Sequence, residues 1–162
     1  MIKKIIFINY EKISNKIFRD YKTDYLMSQG INIEYWDVTR LITNEVHRSE
    51  INYVFIIDSF NEFDKKLEFE EDKKTLIIPL FYLMGNSIKL YLHLNKYNLK
   101  TAFFPFGMWP SPNLSKKQQI WSKKLSFYSL KEIFLNQISK FLKKGEFIKE
   151  FDFVFAAGMV AT

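Results

Sequence analysis

Apolar positions in this chain fall either into short continuous runs or into stretches repeated every three or four residues. The first run, Ile5 to Ile8, lies inside Lys3 to Tyr10 (KKIIFINY). A run this short, rich in β-branched and aromatic side chains, predicts a strand buried on both faces, hence the centre of a parallel sheet. Ile13, Ile17, Tyr21 and Tyr25 then recur every four residues and predict one helix from Glu11 to Gln29, closed by Gly30. Ile31 to Asp37 (INIEYWD) alternates apolar and polar residues, which predicts a second strand nearer the sheet edge. A short helix capped by Thr39 or Thr43 carries Leu41, Ile42 and Val46, and Tyr53 to Ile57 predicts a third, buried strand.

The second half repeats this alternation. Ser59-Phe-Asn-Glu62 matches the S-x-x-E capping box ahead of a helix with Phe60, Phe63 and Leu67 inward. Thr75 to Phe81 predicts a fourth strand, with Pro79 near its end because proline cannot donate to a ladder. Asn86 or Ser87 caps the next helix, which turns Ile88, Tyr91, Leu92 and Leu94 inward, and Thr101 to Phe104 predicts a fifth strand. A loop ordered by proline and aromatics, Pro105 to Asn113, leads to a long helical stretch, Ser115 to Lys144. Phe127, Leu130, Phe134, Ile138 and Phe141 form its stripe, and Phe151 to Ala157 predicts a sixth strand. Six strands alternating with five helices predict an α/β Rossmann-like three-layer sandwich. Its sheet is expected to be about six-stranded and mostly parallel, with helices on both faces.

A length of 162 residues fits a single domain spanning 1–162. Its last strand is followed only by Gly158 to Thr162, so the chain is expected to be the N-terminal half of a longer two-domain protein. The chain holds no cysteine, which removes disulfides, thiolate nucleophiles and Cys-ligated zinc. No apolar run reaches the roughly 18 residues of a membrane span, and the first residues lack a signal-peptide layout. A cytoplasmic location is expected. The net charge of +6 is unevenly placed: residues 115–149 hold nine lysines and two glutamates, a net of +7, which leaves the remainder near −1. A solvated helix face, a contact with anionic lipid through Lys123, Lys124, Lys140, Lys143 and Lys144, and nucleic-acid binding all fit such a segment. Arginine is confined to Arg19, Arg40 and Arg48, and no nucleic-acid motif is present, so no nucleic-acid partner is expected.

Candidate chemistry is sparse. The loop after the first strand, Asn9 to Ser14, has no glycine, so a G-x-G-x-x-G dinucleotide site is absent, as is a Walker A motif. No cofactor is expected. His47 and His93 stand without further ligands at metal spacing, so no metal site is expected and both are read as structural. Glu11 is the carboxylate beside the central strand, either a first-turn residue favourable to the helix dipole or a general base. Asp58 and Ser59 read as a cap or a ligand contact, and Gly85 and Asn86 as a cap or a pair of backbone donors for an anion or hydroxyl. Gly107 and Gly158 read as turns or close-approach points.

The segments IIFINYEKIS, INIEYWDVT, YVFIIDSFNEF, KKTLIIPLF and YNLKTAFF resemble the N-terminal halves of bacterial surface-polysaccharide biosynthesis proteins, similar to GT-B glycosyltransferases of capsule or lipopolysaccharide. The resemblance implies an acceptor-side domain. The nucleotide sugar donor would be held by a C-terminal domain beyond this chain, and the acceptor would be a saccharide or lipid-linked saccharide. Tyr10, Asp58, Ser59, Gly85, Asn86, Phe106, Gly107 and Gly158 would form one wall of the cleft; Glu11 is the candidate base from its place beside the central strand, and the resemblance itself carries over no catalytic residue. It also implies a peripheral position at the inner membrane and no transfer activity for this chain alone. The alternative is a non-catalytic flavodoxin-like or receiver-like module that acts through a protein partner.

Overall fold

A computed structural model describes residues 2–10, 15–43, 53–71, 74–103, 127–144 and 151–154, the side chains of 15–17, 127–133, 139, 143, 153 and 154 excepted. The elements run β1 (Lys4–Asn9), α1 (Asn15–Asp20), α2 (Thr23–Ser28), β2 (Asn32–Asp37), α3 (Thr39–Ile42), β3 (Val54–Ile56), α4 (Phe60–Glu70), β4 (Thr75–Pro79), α5 (Ile88–Leu94), β5 (Lys100–Phe103), α6 (Phe127–Lys144) and β6 (Phe153–Val154). The sheet order is β3-β2-β1-β4-β5, with the two-residue β6 added beside β5. Every pair is parallel. This is the Rossmann order 3-2-1-4-5-6; flavodoxin-like sheets run 2-1-3-4-5.

β1 is central and sealed on both faces. Ile6 and Ile8 join one core with Trp36, Val38 and Ile77, under Phe63 and Leu67 of α4 and Leu90, Tyr91 and Leu94 of α5. Ile5 and Phe7 join the opposite core with Ile33, Tyr35, Leu76 and Ile78, under Phe18 of α1 and with Tyr21 and Leu26 packed against it. Each buried apolar side chain of this size contributes on the order of 1.5–3 kcal/mol, so the two cores hold the layers together.

Local signals act where expected. Gly30 adopts φ +76°, and its N–H donates to Met27 O at 2.9 Å, ending α2 in the left-handed turn that glycine favours. Ser59 Oγ accepts from Glu62 N–H at 3.2 Å, and the Glu62 carboxylate accepts from the N–H of Asp58, one residue before the cap, at 2.9 Å. Pro79 is the last residue of β4.

Three readings change. The single helix expected over Glu11–Gln29 is two, broken where Lys22 takes a left-handed φ of 51°. There the Thr23 hydroxyl turns back to Phe18 O at 3.0 Å. The third strand is an edge strand: Phe55 and Ile56 are exposed, and only Ile57 just beyond it is fully covered. Leu92 faces outward from α5.

The sheet carries an alkaline liability. Phe7, Phe18, Tyr21, Tyr35 and Tyr53 form a ring cluster, with Phe7 stacked on Tyr35 at 4.8 Å and Phe18 edge-on to Tyr35 at 4.7 Å. Burial pushes the Tyr21 and Tyr35 phenols well above the usual range, and the same holds for Tyr91 in the other core. A raised pKa favours the neutral phenol in the fold. Its contribution is therefore complete below the ordinary value near 10 and is lost as pH rises beyond it, where only the unfolded chain ionises. Spectrophotometric titration should show these tyrosines ionising together with unfolding above about pH 10. A smooth titration of all nine tyrosines near 10 with the fold intact would contradict this.

Candidate functional site

In an open parallel sheet, ligands bind beyond the carboxyl ends of the strands where the winding direction reverses. Here that point lies between β1 and β4. The register places Asn9 beside Asp37, Asp37 beside Ile56, and Ile8 beside Pro79, so these strand ends share one edge. The loops extend the ladder: Val38 N–H donates to Asn9 O at 2.8 Å, Leu80 N–H to Ile8 O at 2.8 Å, and Ile57 N–H to Asp37 O at 2.9 Å.

A chain of rings starts at this reversal and runs on past α5 toward β5 and β6. Tyr10 packs on Phe81 at 5.2 Å, and Phe81 packs edge-on to Tyr91 at 5.5 Å. Tyr91 meets Phe151 at 6.0 Å, Phe151 stacks on Phe103 at 5.0 Å, and Phe103 meets Tyr82 at 5.4 Å. The result is a continuous chain of six rings. Of its four interior members Phe81 and Tyr91 are buried and Phe103 and Phe151 half-buried, while Tyr10 at one end is half-buried and Tyr82 at the other is exposed. The Tyr91 hydroxyl donates to Phe81 O at 2.7 Å, which locks the middle of the chain to the β4 loop. Tyr82, Phe103 and Phe151 were not singled out from the sequence. The clue available there was the density of aromatics just after the fourth and fifth strands.

Most polar candidates around this edge are committed to structure. Asp37 is buried, and its Oδ1 accepts from the N–H and hydroxyl of Thr39, holding the turn into α3. Asp58 Oδ1 pairs with an Arg40 guanidinium N–H at 2.6 Å, while Ser59 is the cap of α4. Ser87 is the residue before α5, but its Oγ serves the preceding loop, accepting from Met84 N–H at 2.9 Å and donating to Tyr82 O at 2.7 Å. Gly85 N–H donates to Asn136 Oδ1 of α6 at 2.9 Å, so that backbone donor already has a protein acceptor. Asn86 is exposed. Glu11, Phe106, Gly107, Gly158, Lys123, Lys124 and His47 lie outside the described residues, as does the side chain of Lys143. Lys140 and Lys144 are exposed on α6.

Gly85 also shows how closely this loop meets α6. A Cβ placed there would stand 2.5 Å from Leu135 Cβ and 3.2 Å from the Leu135 carbonyl carbon. Backbone cannot retreat as a flexible side chain can, so Gly85→Ala should destabilise by about 1–3 kcal/mol in urea unfolding. Unchanged stability would mean that the loop and α6 are not pressed together.

A second polar cluster lies away from this edge, between α4 and α5. His93 Nδ1 is 2.6 Å from Asp64 Oδ1, Lys96 Nζ donates to Asp64 Oδ2 at 3.1 Å, and the imidazole stacks on Phe60 at 4.6 Å. Burial opposes ionisation of Asp64, but the hydrogen bonds from His93 and Lys96 outweigh it and hold its carboxyl below the usual range. Among the described residues, no group of three or more His, Cys, Asp or Glu stands close enough to hold a metal ion. No described helix is long and apolar enough to cross a membrane. Compared with protein-family models, with curated proteins and with solved structures, the chain matches none.

Proposed function

We propose that this chain is the acceptor-side domain of a glycosyltransferase of bacterial surface-polysaccharide synthesis, taking a saccharide or lipid-linked saccharide at the reversal between β1 and β4. The observation that carries the reading is the six-ring chain that starts there at Tyr10 and ends at Tyr82. A pyranose presents a face of weakly positive C–H bonds, which packs well on the negative face of an aromatic ring. The strand order supports a ligand at this edge, while the glycine-free loop Asn9 to Ser14 argues against a pyrophosphate beside β1. The nucleotide sugar would then be held by a second domain, and Glu11 would take the acceptor hydroxyl proton as the acceptor oxygen bonds to the anomeric carbon and the nucleotide leaves with the electrons of the broken sugar–phosphate bond. A cytoplasmic, membrane-side location suits a lipid-linked acceptor.

Calorimetric titration with oligosaccharide acceptors and with nucleotide sugars tests this. Oligosaccharide should bind, and Tyr82→Ala should weaken it at least about tenfold, a cost of roughly 1.4 kcal/mol. Tyr82 is exposed, so the variant keeps its fold. Tight nucleotide-sugar binding indifferent to Tyr82, or a protein ligand with no saccharide binding, would overturn the reading. The latter result would favour the module acting through a partner.

A further inference from the structure

Two phenylalanines on α6 are among the most exposed large apolar residues described, Phe134 at 66% and Phe141 at 68%. Seven residues apart on a helix, they stand about 10 Å apart along the axis and within about 20° around it, so they share one face. The helix is seated by a different face. Leu135 and Asn136 meet the Gly85 loop, and Leu142 packs on the core. Those positions lie roughly 80–120° around from Phe141 on one side, Asn136 excepted, while Lys144 and Lys140 lie about 60–100° away on the other. Both lysines are exposed. Phe69 is equally exposed on α4, but a single surface aromatic is ordinary. What distinguishes α6 is a pair of rings on one face bordered by cations, within the segment that carries +7 of the chain's charge.

We propose that this face of α6 docks on an anionic phospholipid bilayer. Phe134 and Phe141 enter the headgroup boundary, and Lys140 and Lys144 pair with lipid phosphates. The occupant follows from charge. A protein groove would need shape complementarity along the rings, whereas an interfacial helix needs only apolar side chains on one face and lysines beside them. Each lysine close to an anionic leaflet strengthens binding about fivefold, and added salt weakens that attraction. Lying on the surface is also consistent with the absence, among the described residues, of any helix able to span the bilayer. This docking would supply the membrane-side position invoked for the saccharide site and rests on that reading for nothing else.

The test is flotation of the purified chain with phosphatidylcholine vesicles, with and without about 25% phosphatidylglycerol, at low and high salt. The chain should float only with the anionic vesicles, and less at high salt. Phe134→Ser/Phe141→Ser and Lys140→Gln/Lys144→Gln should each reduce partitioning at least about tenfold while keeping the native melting temperature. Failure of the native chain to bind at low salt, or undiminished binding by the phenylalanine variant, would overturn the proposal. So would self-association abolished by Phe134→Ser/Phe141→Ser, which would make the face a contact between copies. Saccharide titration without lipid is untouched by any of these results, so the two readings fail separately.

Discussion

Replacing Trp36 by alanine should cost about 4 kcal/mol of unfolding free energy, within the 3–5 kcal/mol typical of large aromatic truncations in cores. Trp36 is only 1% exposed and packs edge-on to Phe63 of α4 at 6.1 Å. Its Nε1–H donates to Glu34 Oε2 at 2.9 Å, and Lys66 Nζ lies 5.7 Å from the ring centre. Truncation therefore leaves a cavity between β2 and α4 and strips a donor from a partly buried carboxylate. A domain of this kind has on the order of 5–15 kcal/mol in total, so the variant should unfold at markedly lower urea with an unchanged slope. Trp36→Phe keeps most of the volume and loses the N–H, so about 1–2 kcal/mol is expected. A loss under about 1 kcal/mol for Trp36→Ala would show that the ring is not part of the packed core.

The second large effect is expected at the amino end of the sheet. Lys4 Nζ lies 2.8 Å from Glu34 Oε1 and 2.6 Å from Glu70 Oε1, while the Thr75 hydroxyl donates to Glu70 Oε2 at 2.7 Å. One ammonium thus ties β1 to β2 and α4, and the Glu70 carboxylate carries the link on to Thr75 of β4. Glu70 is 3% exposed and depends on this cation. Burial alone would lower the Lys4 pKa, but the hydrogen bonds and charges of Glu34 and Glu70 outweigh it and raise it above its ordinary value. Lys4→Met should cost about 3–5 kcal/mol near neutral pH, because it removes the cation paired with a buried carboxylate. In the double variant Lys4→Met/Glu70→Gln the loss should be smaller than the sum of the single losses by at least about 1 kcal/mol. Additive losses would mean that the two groups do not interact. Since the folded value is raised, the contribution of Lys4 is fully present below about pH 10 and is lost as pH rises through that folded value. Lys4 and the buried tyrosines therefore weaken the fold in the same alkaline window.

The central strand, the capping box at Ser59, the glycine stop at Gly30 and the terminal Pro79 were legible because each depends on neighbours within a few residues. The third strand misled for the same reason. Tyr53 to Ile57 is apolar enough for burial on both faces, but among the described residues no strand lies beyond β3, so Phe55 and Ile56 stay exposed, with Lys66 Nζ 5.0 Å from the Phe55 ring centre. The Lys4–Glu70 pair spans 66 positions, and no local pattern announces it. The candidate site was half legible. That Tyr10 would stand at the carboxyl edge of the sheet followed from the fold class. The role of Gly85 as the surface against which α6 rests, and the ring chain from Tyr10 to Tyr82, depend on which strands become neighbours.

By itself the sequence determined an α/β sandwich with a doubly covered central strand, the ends of several of its elements, and the lack of a glycine phosphate turn. These follow from side-chain periodicity, backbone preference and residue identity, which are local properties. Tertiary structure alone decided the order β3-β2-β1-β4-β5-β6, the burial of Lys4 among carboxylates and the joining of six rings into a chain that starts at the winding reversal. Those outcomes arise from hydrogen-bond pairing and packing between segments tens of residues apart, where many local arrangements are compatible with the same sequence and only the global fold selects one.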